Sequence, residues 1–77
     1  MNPYAATVEA PKYPPQLKHK VIFDTFNSLK PTEAMLLVND HDPVPLRYQF
    51  EALYTGKFTW DYIEQGPTTF QVRICKL

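Results

Sequence analysis

Two hydrophobic rhythms divide this 77-residue chain, and the point where one gives way to the other limits the folds open to it. Up to Leu53 the apolar residues recur at helical spacing or cluster in one short run, whereas from Phe58 they alternate. Phe58, Trp60 and Tyr62 share one face of an extended segment, while Thr59, Asp61 and Ile63 share the other. Phe70, Val72 and Ile74 alternate in the same way with Gln71, Arg73 and Cys75. Glu64-Gln65-Gly66-Pro67 between the two runs has turn chemistry, so together they predict an antiparallel hairpin. A hairpin is not stable alone in water, so the upstream segments must supply what packs on it.

Those segments read as two helices and two strands. Leu17, Val21, Ile22, Phe26 and Leu29 recur at helical spacing over Gln16 to Leu29, after Pro14-Pro15 and before Pro31, which predicts an amphipathic helix started by proline. Glu33 to Asn39 is apolar on both faces of a period-two reading, as in a central strand covered on at least one side. Leu46, Phe50 and Leu53 mark the buried stripe of a second helix, with Asp42 placed to cap it, Pro43 or Pro45 in its first turn and Gly56 as its stop. Tyr4 to Glu9, held between Pro3 and Pro11, predicts a short first strand.

The resulting order is strand, helix, strand, helix, strand, strand. A right-handed crossover makes the first two strands parallel and lets both helices cover one face of a four-stranded mixed sheet. The expected class is α/β (α+β), a two-layer sandwich. Its other sheet face has no helix to cover it, yet β-branched and aromatic residues remain to be placed there. That face is therefore a candidate surface for a partner or for a homodimer.

A chain of 77 residues makes one domain, 1–77, with 1–13 as a short strand and proline-rich lead-in and 14–77 as the remainder. Eight Lys and Arg balance eight Asp and Glu, with no block of like charge, which argues against nucleic acid or an anionic membrane as partner. The single cysteine, Cys75, excludes an internal disulfide and any zinc site built on paired cysteines. The longest apolar run is five residues, and no basic segment followed by an apolar core opens the chain, so the expected location is the cytoplasm.

The densest chemistry lies at Asn39-Asp40-His41-Asp42-Pro43-Val44-Pro45, directly after the central strand and before the second helix. In a parallel strand–helix–strand unit the start of the first helix and the end of the second strand share the carboxyl edge of the sheet. At about 100° per residue, His19 falls between Phe23 and Phe26 on the apolar arc of the first helix, facing that same edge. His19, Asn39, Asp40, His41, Asp42, Arg47 and Tyr48 are the candidate ligand-binding residues. His19 and His41 with Asp40 and Asp42 are also a candidate ligand set for a divalent metal, although adjacent residues of an extended chain point to opposite sides. The competing structural account has Asp42 capping the second helix, Asp40 holding the turn and His19 hydrogen-bonded to one of them. Phe58, Trp60 and Tyr62 with Phe70 suit core packing better than a stacking platform. Nothing positions a base for Cys75, so no catalytic residue is assigned.

The run Val38-Asn39-Asp40-His41-Asp42-Pro43, then Pro45-Leu46, Tyr48-Gln49, Phe58-Thr59-Trp60, Tyr62, Glu64, Gly66-Pro67 and Val72-Arg73-Ile74, resembles the prokaryotic domain-of-unknown-function family 2249 over roughly residues 15 to 77. That family is similar in fold to the TusA/SirA-like sulfur carriers, and its occurrence beside hemerythrin-like domains and genes of nitrogen-oxide metabolism implies a redox or metal setting. The carriers place a Cys-Pro pair at the start of the first helix, where this chain has Pro14-Pro15. The function expected first is a non-enzymatic binding module with a protein partner. A metal-binding or redox accessory protein comes second, and sulfur carriage, lacking its thiol, comes last.

Overall fold

The computed structural model describes residues 3–77. Strand β1 (Ala6–Glu9) leads through a single 3-10 turn, Ala10–Lys12, into helix α1 (Pro15–Ser28). Strand β2 (Ala34–Asn39), helix α2 (Val44–Leu53) and the hairpin of β3 (Phe58–Gln65) and β4 (Phe70–Lys76) follow. The strands lie in the order β1-β2-β4-β3, with β1 parallel to β2 and both other pairings antiparallel. This is the expected α+β arrangement, a four-stranded mixed sheet under two helices.

Proline opens both helices. Pro15 lies in the first turn of α1 and Pro45 in that of α2, where a missing N–H costs nothing. Asp42 does not cap α2, contrary to expectation: Pro43 holds the cap position and no side chain bonds to the helix end. The Val44 N–H is already taken by the Asp42 carbonyl at 2.9 Å, and Pro45 has none to offer, so the first turn leaves little for a cap to satisfy. At the other end, Gly56 adopts φ +72°, a left-handed conformation that a residue without Cβ takes freely. The C-terminus of α1 is closed from afar by Lys76, whose Nζ donates to the Leu29 carbonyl at 2.9 Å.

The core lies between the helices and one face of the sheet. Val8, Met35, Leu37, Val72 and Ile74 point up from the strands to meet Ile22 and Phe26 of α1 and Leu46 and Phe50 of α2. Phe58, Trp60 and Tyr62 pack against the edge of this cluster, the core packing expected of them. The register explains their side: Trp60 lies opposite Ile74 and Tyr62 opposite Val72, and side chains directly opposite share a face. The open face instead carries half-buried Leu36 and Val38 beside polar pairs, Arg73 with Asp61 at 3.7 Å and Gln71 with Glu64 at 2.8 Å.

Two residues assigned to buried stripes are exposed. Leu17 precedes the point on α1 where burial begins, and Leu53, the last residue of α2, is 65% exposed. Leu53→Ala is therefore expected to change stability by no more than about 0.5 kcal/mol in urea unfolding. A loss of the size seen for core leucines would show that this end of α2 is packed.

Candidate functional site

The candidate site is built where β2 runs out. Asn39 continues the inward register of Met35 and Leu37 but is polar, and at 6% exposure it must be satisfied locally. Its Oδ1 accepts the Asp40 N–H at 2.9 Å, which turns the chain out of the sheet. The Asp40 carboxylate then accepts the ring N–H of His41 Nδ1 at 2.7 Å. That bond holds the Asp40 carboxyl below the ordinary carboxylate range, with Lys18 adding a smaller push in the same direction. It also leaves His41 Nε2 as the ring atom open to a ligand.

His19 is exposed, so the expectation that it faces the sheet is corrected: on α1 the fully buried positions begin at Ile22. Its ring meets Phe23 edge to face with centroids 6.3 Å apart, and no hydrogen bond joins it to Asp40 or Asp42 among the described residues. It nevertheless lines the same small cleft as Asn39 and His41, together with Lys18, over a floor that includes Ile22 and Leu46. The cleft holds about 80 Å³. At about 30 Å³ of liquid volume per water this suits a carboxylate or small anion, whereas sites for drug-sized ligands are several times larger.

The other candidates face elsewhere. Asp42 accepts the Tyr62 hydroxyl at 2.6 Å, a contact between residues 20 apart in sequence. Asp42, Arg47 and Tyr48 line an open depression of about 500 Å³ with Tyr62. Arg47 is paired along α2 with Glu51, Nε to Oε1 at 3.5 Å. The seven candidates thus divide: His19, Asn39 and His41 in the cleft, Asp42, Arg47 and Tyr48 in the depression, and Asp40 as the partner of His41. Among the described residues, no three His, Cys, Asp or Glu side chains gather where one metal ion would hold them. Cys75 is buried on β4, its Sγ 3.7 Å from the Thr32 carbonyl.

Burial, followed by the bond to Asp42, pushes the Tyr62 phenol above its ordinary value, while neighbouring Trp60 and Arg47 act in the opposite direction. The folded value thus exceeds the unfolded one of about 10, so the linked stability is fully present below pH about 10 and declines as Tyr62 itself ionises. Tyrosine-resolved NMR titration should show Tyr62 ionising above that value. Asp42→Asn removes the negative charge and should bring the midpoint down; an unmoved midpoint would mean that burial alone sets it.

The sequence reading missed Lys18, Tyr62 and the 3-10 turn that brings Ala10 to the cleft. Lys18 had a signal, its place beside His19 in the first turns of α1. For Tyr62 the signal was only its membership of the inward face of β3, since no local pattern names a partner 20 residues away.

The profile of the DUF2249 family, described as uncharacterized conserved proteins, matches residues 7–76, and the chain belongs to that family. No curated protein and no solved structure matches it. Among the described residues, no helix is long and apolar enough to cross a membrane.

Proposed function

We propose that this DUF2249 protein is a small non-enzymatic accessory module, with redox or nitrogen-oxide-related metabolism as the setting that the family resemblance implies. It binds a protein partner at the carboxyl edge of the sheet, taking an acidic group of that partner between Lys18, His19 and His41. The observation that carries this reading is that Lys18, His19 and His41 line one cleft of about 80 Å³. Of the nearby carboxylates, Asp42 is turned to Tyr62 in the other depression and Asp40 is bonded to the His41 ring. The floor of the cleft is apolar, which strengthens a charge-assisted hydrogen bond made above it.

A second reading, divalent metal binding, is favoured by one observation. Asp40 on His41 Nδ1 is the carboxylate–imidazole pairing that orients a metal-ligating histidine, and His19 lines the same cleft. Thermal unfolding separates the two. For the binding module, His19→Ala and His41→Ala melt close to the parent protein and a chelator changes nothing. For a metal protein, the parent is destabilised by chelator and both variants melt early, because metal affinity is folding free energy.

A further inference from the structure

The histidine cleft is lined by more than charged rings. Asn39, at 6% exposure, lines it too, and its carboxamide is half spent. Oδ1 accepts the Asp40 N–H at 2.9 Å, which fixes the way the amide faces. Nδ2 is left as a donor without a partner among the described residues, and unlike the Trp60 indole N–H it is not sealed away from the surface.

A second donor comes from α2. In its first turn the Val44 N–H is taken by the Asp42 carbonyl, Pro45 has none, and no side chain caps the helix end. The Leu46 N–H therefore remains, with no backbone partner among the described residues, and Leu46 lines the same cleft. Helix N–H groups point toward the N-terminus, the end where Pro43 and Pro45 wall the cleft.

Donor number, space and charge select among acidic groups. Two fixed neutral donors, beside Lys18 and the imidazoles, match the two oxygens of a carboxylate. Phosphate sites are commonly built on runs of successive backbone N–H groups, and Pro43 and Pro45 break any such run here. Phosphate also brings a second negative charge toward Asp40, which adjoins the cleft on the His41 ring. The cleft of about 80 Å³ has the volume of only about two to three waters.

We propose that the cleft selects a carboxylate, with one oxygen on Asn39 Nδ2 and the other on the Leu46 N–H, and that Asn39 determines this specificity. The selectivity rests on the cleft being the seat of an acidic group, as proposed above, and names that group.

The test titrates the intact, isotope-labelled protein with acetate and, at matched ionic strength, with inorganic phosphate. The Asn39 side-chain NH₂ and the Leu46 amide are expected to shift on the curve traced by His41, with acetate bound about tenfold more tightly than phosphate. Asn39→Ser keeps a hydroxyl acceptor for the Asp40 N–H but lacks Nδ2, and is expected to weaken acetate about tenfold and bring the two anions toward parity. A capped glutamyl peptide identifies the carrier. Bound more tightly than acetate, it puts the carboxylate on a protein partner; bound more weakly, it makes the ligand a free acid, and both results support a carboxylate. The proposal is overturned if the imidazoles respond while the Asn39 NH₂ and the Leu46 amide stay still, or if phosphate binds as tightly as acetate. In either case the acidic seat itself stands, whereas histidines silent to both anions overturn the seat as well.

Discussion

Phe50→Ala is expected to remove a large share of the protein's stability. Phe50 is fully buried on α2, and its ring lies against five others: Phe23 at 5.0 Å, Phe26 at 5.1 Å, Tyr54 and Phe58 at 5.4 Å and Trp60 at 5.8 Å. These partners come from α1, the end of α2 and β3, so one side chain joins both helices to the outer strand. Deleting a buried phenylalanine costs about 3–5 kcal/mol through lost transfer energy and the cavity left behind. Neighbouring rings that relax into the gap decide where in that range the value falls. A chain of 77 residues holds roughly 4–12 kcal/mol in total, so the loss is at least about a quarter of the whole. Urea unfolding checks this: a loss under about 1 kcal/mol would place Phe50 outside the centre of the core.

Asn39→Ala is expected to cost about 0.5–1.5 kcal/mol, the net worth of one hydrogen bond, because the Asp40 N–H it frees is only partly buried. The Asp40 N–H then has no side-chain acceptor, and the turn that presents Asp40 and His41 is no longer held against β2. The effect on the site should exceed the effect on the fold. The Asp40–His41 bond depends on where that turn sits, so the Asp40 carboxyl should titrate closer to its ordinary value in the variant. The sign follows from linkage. A depressed folded value contributes stability above the unfolded pKa of about 4, lost as the pH falls through the folded value, and the variant should lose this acid-side contribution. Carboxyl-resolved NMR reads it directly, and an unchanged Asp40 titration would mean that Asn39 does not hold the dyad in place.

The legible part of the molecule was its periodic part. Alternation from Phe58 to Ile74 was sufficient to predict the hairpin, because a period of two admits no other regular structure. The helical spacing of Ile22 and Phe26 predicted α1, and the apolar run before Asn39 predicted the central strand. Periodicity gives direction and not extent, which is why Leu17 and Leu53, at the two helix ends, were assigned to the core although both are exposed. The alternation placed Phe58, Trp60 and Tyr62 on one face and the core-packing reading chose the inward one, while their partners Ile74 and Val72 came only with the hairpin register.

At the site, the convergence of His19 with His41 followed from topology alone, since a parallel crossover brings the start of α1 to the end of β2. What each Asp does was not legible. Asp40 and Asp42 are two residues apart, yet one is held by its neighbour's imidazole and the other by a phenol from the outermost strand. A capping role for Asp42 was reasonable from the local pattern, but Pro43 takes the cap position and the Asp42 carboxylate accepts the Tyr62 hydroxyl instead.

The most direct test of the central claim, that Lys18, His19 and His41 form one seat for an acidic group, is a histidine-resolved NMR titration with acetate and then inorganic phosphate. The account predicts that both imidazoles and the Lys18 amide shift together along one binding curve, and that His41→Ala abolishes the response of His19. Independent curves for the two histidines, or no response from either, would contradict it.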